Sequence, residues 1–215
     1  MAISGRPAVG VMGGTFNPIH IGHLVTAEEA LFAFGLREVI FVPAGRPWQK
    51  EGVDVAESEH RYLMTVIATA PNSHFQVSRI EIDRSGPTYT VETLRVLRAQ
   101  VGDVELYFIT GADAILQILT WKDPKEVLSE ARFIAATRPG YDLDRLEKEL
   151  PEGFGDRVRI LEIPALAISS TDVRRRVREG RPVRYLLPEG VARYIEKNDL
   201  YSGPESATGR TPAHD

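Results

Sequence analysis

Two histidines and several glycines stand close together in residues 13–23, which read GGTFNPIHIGH. Gly13 and Gly14 follow a short apolar run, where they allow the backbone to turn sharply and to approach a ligand closely. His20 and His23 are three residues apart, so they lie on one face of the first turn of a helix. Because a helix N-terminus attracts anions through its exposed N–H groups and its dipole, two imidazoles placed there predict a phosphate-binding site. The other residues that we assign to this site are Thr15, Phe16 and Gly22.

Histidines at a helix start also have other uses. A single histidine in such a place is more often a helix cap or part of the core, and a pair at this spacing can bind a metal ion. The segment is neither a P-loop, which ends in Gly-Lys-Ser/Thr, nor a G-x-G-x-x-G fingerprint. The combination of eleven residues is nevertheless more specific than core packing requires, and it favours a functional interpretation.

A second group of hydroxyls and cations lies in residues 168–174, which read ISSTDVR. Ser and Thr are preferred at helix N-caps, but three in a row exceed what one cap requires. The surplus hydroxyls and free N–H groups predict a second anion site, to which Arg174 offers a fork of donors. The alternative is an ordinary capped helix with a solvated basic face, which we favour for the arginines that follow Arg174. The residues assigned to the anion site are Ile168, Ser169, Ser170, Thr171 and Arg174.

Composition narrows the classes of protein that need to be considered. The 215 residues include 26 Lys and Arg, 30 Asp and Glu and no Cys, with a formal net charge of −4. The lack of Cys excludes a disulfide scaffold, an iron–sulfur cluster and a Cys nucleophile. The mild acidity argues against a nucleic-acid coat protein, and no apolar stretch is long enough to span a bilayer. The N-terminal residues do not resemble a secretory signal, so we expect a cytoplasmic protein with neither a nucleic-acid nor a membrane partner.

Apolar runs alternate with amphipathic stretches along the chain. Strands are predicted at residues 8–12, 38–42, 75–82, 105–110, 132–137 and 158–163. Helices are predicted at residues 20–34, 57–70, 88–100, 170–178 and 188–197, with a further helix opening at 111–113. This alternation indicates an α/β fold, a doubly wound and mostly parallel sheet with helices on both faces and a small C-terminal helical part. We expect one domain over residues 1–200 and a disordered tail over residues 201–215, which is rich in small and polar residues.

The two signatures together resemble the nucleotidyltransferase superfamily marked by H-x-G-H. GGTFNPIHIGHL is similar to the opening motif of bacterial nicotinate-nucleotide adenylyltransferases, and ISSTDVR is similar to the second signature, I-S-S-T-x-x-R, which holds the triphosphate. The closing stretch YLLPEGVARYIEKNDLY also resembles the C-terminal helical region of this family. The resemblance implies a Rossmann-like nucleotidyltransferase fold. One departure is Asn17, where Asp is common, and we expect this position to shape the turn.

The resemblance also implies a site for the acceptor. GPTYTVETL is similar to the family segment P-S-Y-T-x-x-T-L, which binds a pyridine carboxylate and here supplies Thr88, Tyr89 and Thr90. An indole can stack on a flat pyridinium, a role that the resemblance gives to Trp121. The alternatives are a helix cap for Thr88 and a core position for Trp121. The family often has an aromatic residue directly after this tryptophan, whereas this chain has Lys122 there.

Three further positions carry over from the family pattern. Gly111 and Asp113 match G-x-D, in which the Asp accepts hydrogen bonds from ribose hydroxyls. Arg138 matches R-P-G, where the Arg lies near the acceptor phosphate. Lys50 matches a phosphate-directed cation in a loop that often reads P-P-H-K, although Gln49 stands at its His position.

The implied reaction transfers the adenylyl group of ATP to nicotinate mononucleotide, giving nicotinate adenine dinucleotide and pyrophosphate in NAD biosynthesis. The residues expected to support catalysis, as a cationic cradle, are His20, His23, Lys50 and Arg174. No carboxylate cluster stands ready as a metal cage, so we expect Mg²⁺ to be held mainly by ATP phosphates and water. The alternatives are a related enzyme acting on nicotinamide mononucleotide or phosphopantetheine, and a nucleotide-binding sensor without catalysis. The sequence leaves a homo-oligomer open.

Overall fold

A single parallel sheet organises the chain. The computed structural model describes residues 6–46, 55–142 and 155–202. Among these residues, six strands pair in the order β3-β2-β1-β4-β5-β6, and every pair is parallel. The strands are β1 (Ala8–Gly14), β2 (Glu38–Pro43), β3 (Phe75–Val77), β4 (Glu105–Gly111), β5 (Arg132–Thr137) and β6 (Val158–Glu162).

Helices cover both faces of this sheet. They are α1 (Ile21–Phe34), α2 (Ser58–Thr69), α3 (Thr90–Val101), α4 (Ala112–Leu116), α5 (Pro124–Glu130), α6 (Ser170–Arg178) and α7 (Glu189–Lys197). One core layer packs α1, α2, α6 and α7 against the sheet, and the other packs α3, α4 and α5. The predicted α/β class with helices on both faces is confirmed. In the described part of the chain, no helix combines the length and the apolar character needed to cross a bilayer.

The sheet reverses its strand order at β1. This strand pairs with β2 on one side and with β4 on the other, and Gly14 lies opposite Pro43 at its carboxyl end. The chain leaves β1 for helices on one face and leaves β4 for helices on the other face. Open α/β sheets bind ligands at such a switch point, so the fold places the turn after β1 where a ligand is expected.

Two element boundaries differ from the prediction. The strand predicted over residues 75–82 ends at Val77, because the chain leaves the sheet after the Ser78 N–H donates to the Phe41 carbonyl at 2.9 Å. The next helix begins at Thr90 with Tyr89 as its N-cap, so Thr88 is not the cap. Instead Thr88 is buried, with its hydroxyl close to the Glu81 carboxylate.

The C-terminal helical part packs onto the body of the fold. Val191 and Ile195 of α7 are buried in the same core layer as α1 and α2. Tyr201, which we assigned to the disordered tail, is buried, and its hydroxyl donates to Asn17 Oδ1 at 2.8 Å. The packed chain therefore includes Tyr201 of the tail predicted for residues 201–215, and residues 203–215 of that tail lie outside the described residues.

A buried arginine joins three loops beneath the turn after β1. Arg61 of α2 is only 1% exposed, and it donates to the carbonyls of Thr15 at 2.8 Å, Ala56 at 2.9 Å and Gly45 at 3.0 Å. Burial lowers the pKa of this guanidinium, which nevertheless stays charged because an arginine titrates so far above neutrality. The side chain supplies donors to three carbonyls of irregular backbone, so it fixes the loops that follow β1 and β2.

Replacing Arg61 should therefore destabilise the fold. We expect Arg61→Met to lower the free energy of unfolding by about 3 kcal/mol or more, because buried carbonyls lose charged donors. The measurement is urea denaturation followed by circular dichroism. The control is Arg79→Met, which removes an exposed arginine paired with Glu59 and should cost less than about 1 kcal/mol. Equal losses in the two variants would contradict this role of Arg61.

Candidate active site

A cleft of about 470 Å³ opens at the carboxyl ends of β1, β4 and β5. Its walls bring together most of the first predicted signature with residues from three later segments. The sequence-predicted residues that line it are Gly13, Gly14, Phe16, His20, Gly22, His23, Gly111, Asp113, Arg138 and Ile168. Hereafter we call this space the phosphate cleft.

The turn that enters the phosphate cleft has a constrained backbone. Phe16 has a positive φ of 46°, and its buried ring folds back over Gly14. A Cβ at Gly14 would lie only 2.9 Å from the Phe16 ring, so this position requires glycine. The Asn17–Pro18 peptide bond is cis, and Asn17 Oδ1 accepts from the Ala56 N–H at 3.1 Å as well as from Tyr201.

The two histidines stack on each other at the start of α1. Their ring centroids are 3.7 Å apart with an interplanar angle of 26°, and the Phe16 ring meets His23 edge-on at 5.1 Å. His23 Nδ1 accepts the backbone N–H of His20 at 3.1 Å, so a neutral His23 carries its proton on Nε2. Gly22 makes room for this arrangement, because a Cβ there would lie 3.1 Å from the His20 ring.

Burial favours the neutral form of the His20 imidazole. Its side chain is buried, and burial lowers its pKa from 6.5 to about 4. Its Nδ1 is buried with no hydrogen-bond partner among the described residues. Desolvation disfavours the charged form of His20 in the site without substrate. Its part in the cationic cradle around bound phosphates stays a prediction.

The second signature meets the first at the start of α6. Ser169 is the N-cap, and its Oγ accepts the Asp172 N–H at 3.1 Å. The Ser170 hydroxyl donates to the Pro18 carbonyl at 2.9 Å, and buried Arg174 donates through Nη1 to the Asn17 carbonyl at 2.8 Å. These contacts cross more than 150 residues of sequence and bring the two predicted helix beginnings together.

A second cavity lies on the other side of the β1 turn. It has a volume of about 180 Å³, and Gly13 and Gly14 line it as they line the phosphate cleft. Trp121 forms part of its wall and meets Phe108 edge-on with ring centroids 5.9 Å apart. We call this space the aromatic cavity. The remaining polar or charged residues that line it are Thr15, Glu81, Thr88, Tyr89, Thr90, Thr93, Thr110 and Lys122.

Comparisons with known proteins agree with this architecture. The sequence profile of the cytidylyltransferase-like family matches residues 11–176. A protein of Nocardioides sp. named "Probable nicotinate-nucleotide adenylyltransferase" is 62% identical over 190 residues, covering 88% of this chain and 92% of that protein. A protein of Moorella thermoacetica with the same name is 57% identical over 201 residues, covering 91% and 93%. The chain belongs to this adenylyltransferase family.

A solved structure supports the fold of this family member. The Plasmodium falciparum nicotinic acid mononucleotide adenylyltransferase complexed with NaAD superposes with a TM-score of 0.76 at 22% sequence identity. The alignment covers 91% of this chain and 98% of the other. At that identity the match supports the architecture alone.

Sequence reasoning missed a partly buried carboxylate in the aromatic cavity. Glu81 accepts the Thr93 hydroxyl at 2.6 Å, and it lies close to the Thr88 hydroxyl and the Gly45 N–H. Desolvation raises the pKa of this carboxyl, although these neighbouring donors oppose the shift. Glu81 alternates with Ile80 and Ile82, so the segment has the pattern of a strand and gives no signal of a site. The carboxylate ties the loop after β2 to the start of α3.

Several predicted residues lie elsewhere than we expected. Arg138 lines the phosphate cleft and not the aromatic cavity, and Thr15 lines the aromatic cavity and not the cleft. Asp113 accepts the Tyr141 hydroxyl at 3.0 Å in the cleft. Ser169, Ser170, Thr171 and Arg174 stand behind the turn and are not among the residues that line either cavity. Lys50 and Gln49 lie outside the described residues.

The lowered pKa of His20 predicts a stability effect in acid. Between pH 6.5 and about 4, the unfolded chain binds a proton at this histidine that the folded chain does not bind. Stability from this site is thus complete above pH 6.5 and is lost as the pH falls towards 4. His20→Gln removes the titration, so its unfolding free energy should fall less than that of the wild type over this range. Urea denaturation at several pH values tests this, and parallel curves would contradict it.

Proposed function

We propose that this protein transfers the adenylyl group of ATP to nicotinate mononucleotide, giving nicotinate adenine dinucleotide and pyrophosphate in NAD biosynthesis. The observation that carries the proposal is that the phosphate cleft and the aromatic cavity share Gly13 and Gly14. Two nucleotides bound on opposite sides of this turn can bring their phosphates together next to these two glycines, which have no side chains to obstruct them. The names of the relatives at 62% and 57% identity agree with this reaction.

The phosphate cleft suits a nucleoside triphosphate. The His23 proton on Nε2 and the N–H groups at the start of α1 are donors for phosphate oxygens in the cleft. Ile168 lines the cleft next to Ser169, so a triphosphate that extends past Ile168 reaches the exposed hydroxyls of Ser169 and Thr171 at the start of α6. Arg174 secures the turn through Asn17 and adds buried positive charge behind it. We assign Asp113 to ribose hydroxyls, and we assign Arg138 to anions in the cleft, where it lies.

The aromatic cavity suits a flat ring that carries an anionic substituent. Trp121 offers an indole for stacking, which favours an electron-poor pyridinium. Thr90 and Tyr89 stand at the N-terminus of α3, where hydroxyl and N–H donors favour a carboxylate. Thr88 is buried close to Glu81 just before this helix, so we propose that it helps to position the turn. Lys50, outside the described residues, stays our proposal for a further phosphate-directed cation.

The chemistry needs positioning more than proton transfer. An acceptor phosphate is already ionised at neutral pH, so its oxygen attacks the α-phosphorus of ATP without a general base. The new P–O bond forms in line as the bond to the β-phosphate oxygen breaks and pyrophosphate leaves. His23 and the helix N-termini stabilise the charge that develops on the phosphoryl oxygens. The neutral His20 supports the ring of His23 by stacking on it.

The donor set of the cleft fits phosphate oxygens. Within the described ranges, no group of three or more His, Asp or Glu side chains stands where it could hold a metal ion. We therefore propose that Mg²⁺ is held mainly by the triphosphate and by water and neutralises part of the phosphate charge. The His23 and backbone donors then orient the remaining oxygens.

The surroundings of the reaction follow from its substrates. We propose ATP and nicotinate mononucleotide as partners, a cytoplasmic location where both are available, and neither a nucleic-acid nor a membrane partner. Self-association into a homo-oligomer is compatible with this scheme, since the scheme assigns no residue of a second copy to either cavity.

Pyrophosphate release from ATP and each pyridine mononucleotide tests the proposal directly. The wild type should release pyrophosphate with nicotinate mononucleotide, and His23→Ala should lower kcat by about 10²–10³ with little change in the acceptor KM. The control is His74→Gln, an exposed histidine bonded to the Arg37 carbonyl, which should keep wild-type activity. A wild type inactive with both acceptors would overturn the function, and normal turnover in His23→Ala would overturn the role of that histidine.

Removing the indole should weaken the acceptor and spare ATP. We expect Trp121→Ala to raise the KM for nicotinate mononucleotide by about 10-fold through the loss of stacking, with the KM for ATP unchanged. Trp121→Phe should give an intermediate value because it keeps an aromatic face. An unchanged acceptor KM in Trp121→Ala would show that the indole serves packing against Phe108 only.

A further inference from the structure

The aromatic cavity has a lysine where the family often has an aromatic residue. Lys122 directly follows Trp121 after the 3-10 turn Ile118–Thr120, and both residues line the cavity. Among the described residues that line it, Lys122 is the only cation. Its side chain is 44% exposed, so a ligand entering from solvent can reach it.

Contacts with α3 hold the ammonium near the predicted carboxylate site. Lys122 Nζ lies 2.9 Å from Glu92 Oε1 and 4.2 Å from the centroid of the Tyr89 ring. Both partners flank Thr90, which begins α3. The hydrogen bond to Glu92 raises the pKa of Lys122, which keeps the ammonium protonated. The cation is therefore fixed beside the helix N-terminus that we assign to the carboxylate of the acceptor.

The surrounding charges leave room for another carboxylate. Glu92 is shared by two cations, Lys122 on Oε1 and Arg84 on Oε2 at 3.2 Å. Glu81, the carboxylate that lines the cavity, accepts the Thr93 hydroxyl at 2.6 Å, and desolvation raises its pKa, which favours its uncharged form. Glu92 carries one negative charge against the two positive charges of Lys122 and Arg84. The carboxylate of a bound acceptor would be attracted by the remaining positive charge, whereas a neutral carboxamide would be attracted much less.

We propose that Lys122 is a specificity-determining residue, which makes the aromatic cavity prefer a pyridine nucleotide with a ring carboxylate over its carboxamide counterpart. This inference rests on the proposed function for the choice of ligands. The ammonium acts through its charge on the bound acceptor and takes no part in the transfer of the adenylyl group.

Binding measurements separate this role from a structural one. Isothermal titration gives the Kd of nicotinate mononucleotide and of nicotinamide mononucleotide for the wild type, Lys122→Met, Lys122→Arg and Lys125→Met. Lys122→Met should weaken the nicotinate nucleotide by roughly 3- to 10-fold and leave the nicotinamide nucleotide within about 2-fold. Lys122→Arg should restore the preference because it restores the charge. Lys125 is an exposed lysine of α5 that lines neither cavity, so Lys125→Met removes the same net charge and should bind as the wild type does.

The outcomes distinguish this inference from the proposed function. Equal weakening of both nucleotides in Lys122→Met, or no change in either, would overturn the role of Lys122. If Lys125→Met also loses the preference for the nicotinate nucleotide, the preference depends on net charge. That result would overturn the role of Lys122 as well. A wild type that binds the nicotinate nucleotide selectively but releases no pyrophosphate would support the specificity role of Lys122. The same result would overturn the proposed adenylyl transfer. A wild type that binds neither nucleotide would overturn both.

Discussion

Two hydrogen bonds between the ends of the chain hold the site together. Ser170 and Arg174 at the start of α6 donate to the carbonyls of Pro18 and Asn17 in the turn after β1. These two bonds place the N-terminus of α6 next to the turn that leads into α1. Each helix start attracts an anion only modestly, and in our proposal the two together bind a substrate with several charges.

Buried polar groups maintain that arrangement because they cannot move without losing partners. Arg61 spans three carbonyls, and Asn17 accepts from both Ala56 and Tyr201. Glu81 does the same for the turn before α3. A buried donor or acceptor without a partner costs more than an ordinary hydrogen bond contributes, so these networks set the loops in one geometry. These hydrogen bonds therefore hold the irregular segments around the two cavities in one conformation.

The alternation of apolar runs was sufficient to predict the sheet and its two helical layers, because that signal is local. The meeting of the two signatures was predictable from their residue types and from the place of a switch point in such sheets. The lowered pKa of His20 was not predictable, since it comes from burial of the side chain in the folded protein. The contacts of Glu81 and Tyr201 were missed for a similar reason. Glu81 lies in a segment with the alternation of a strand, and Tyr201 begins a stretch of small and polar residues, so neither pattern indicates a tertiary contact.

The bond from Tyr201 to Asn17 has a consequence for synthesis. These residues are 184 positions apart, so the turn after β1 gains this contact only when nearly the whole chain has emerged from the ribosome. The early strands can pair before that moment, but the turn after β1 is completed by a segment that is translated much later. Folding of this turn therefore depends on a contact that the first half of the chain cannot supply.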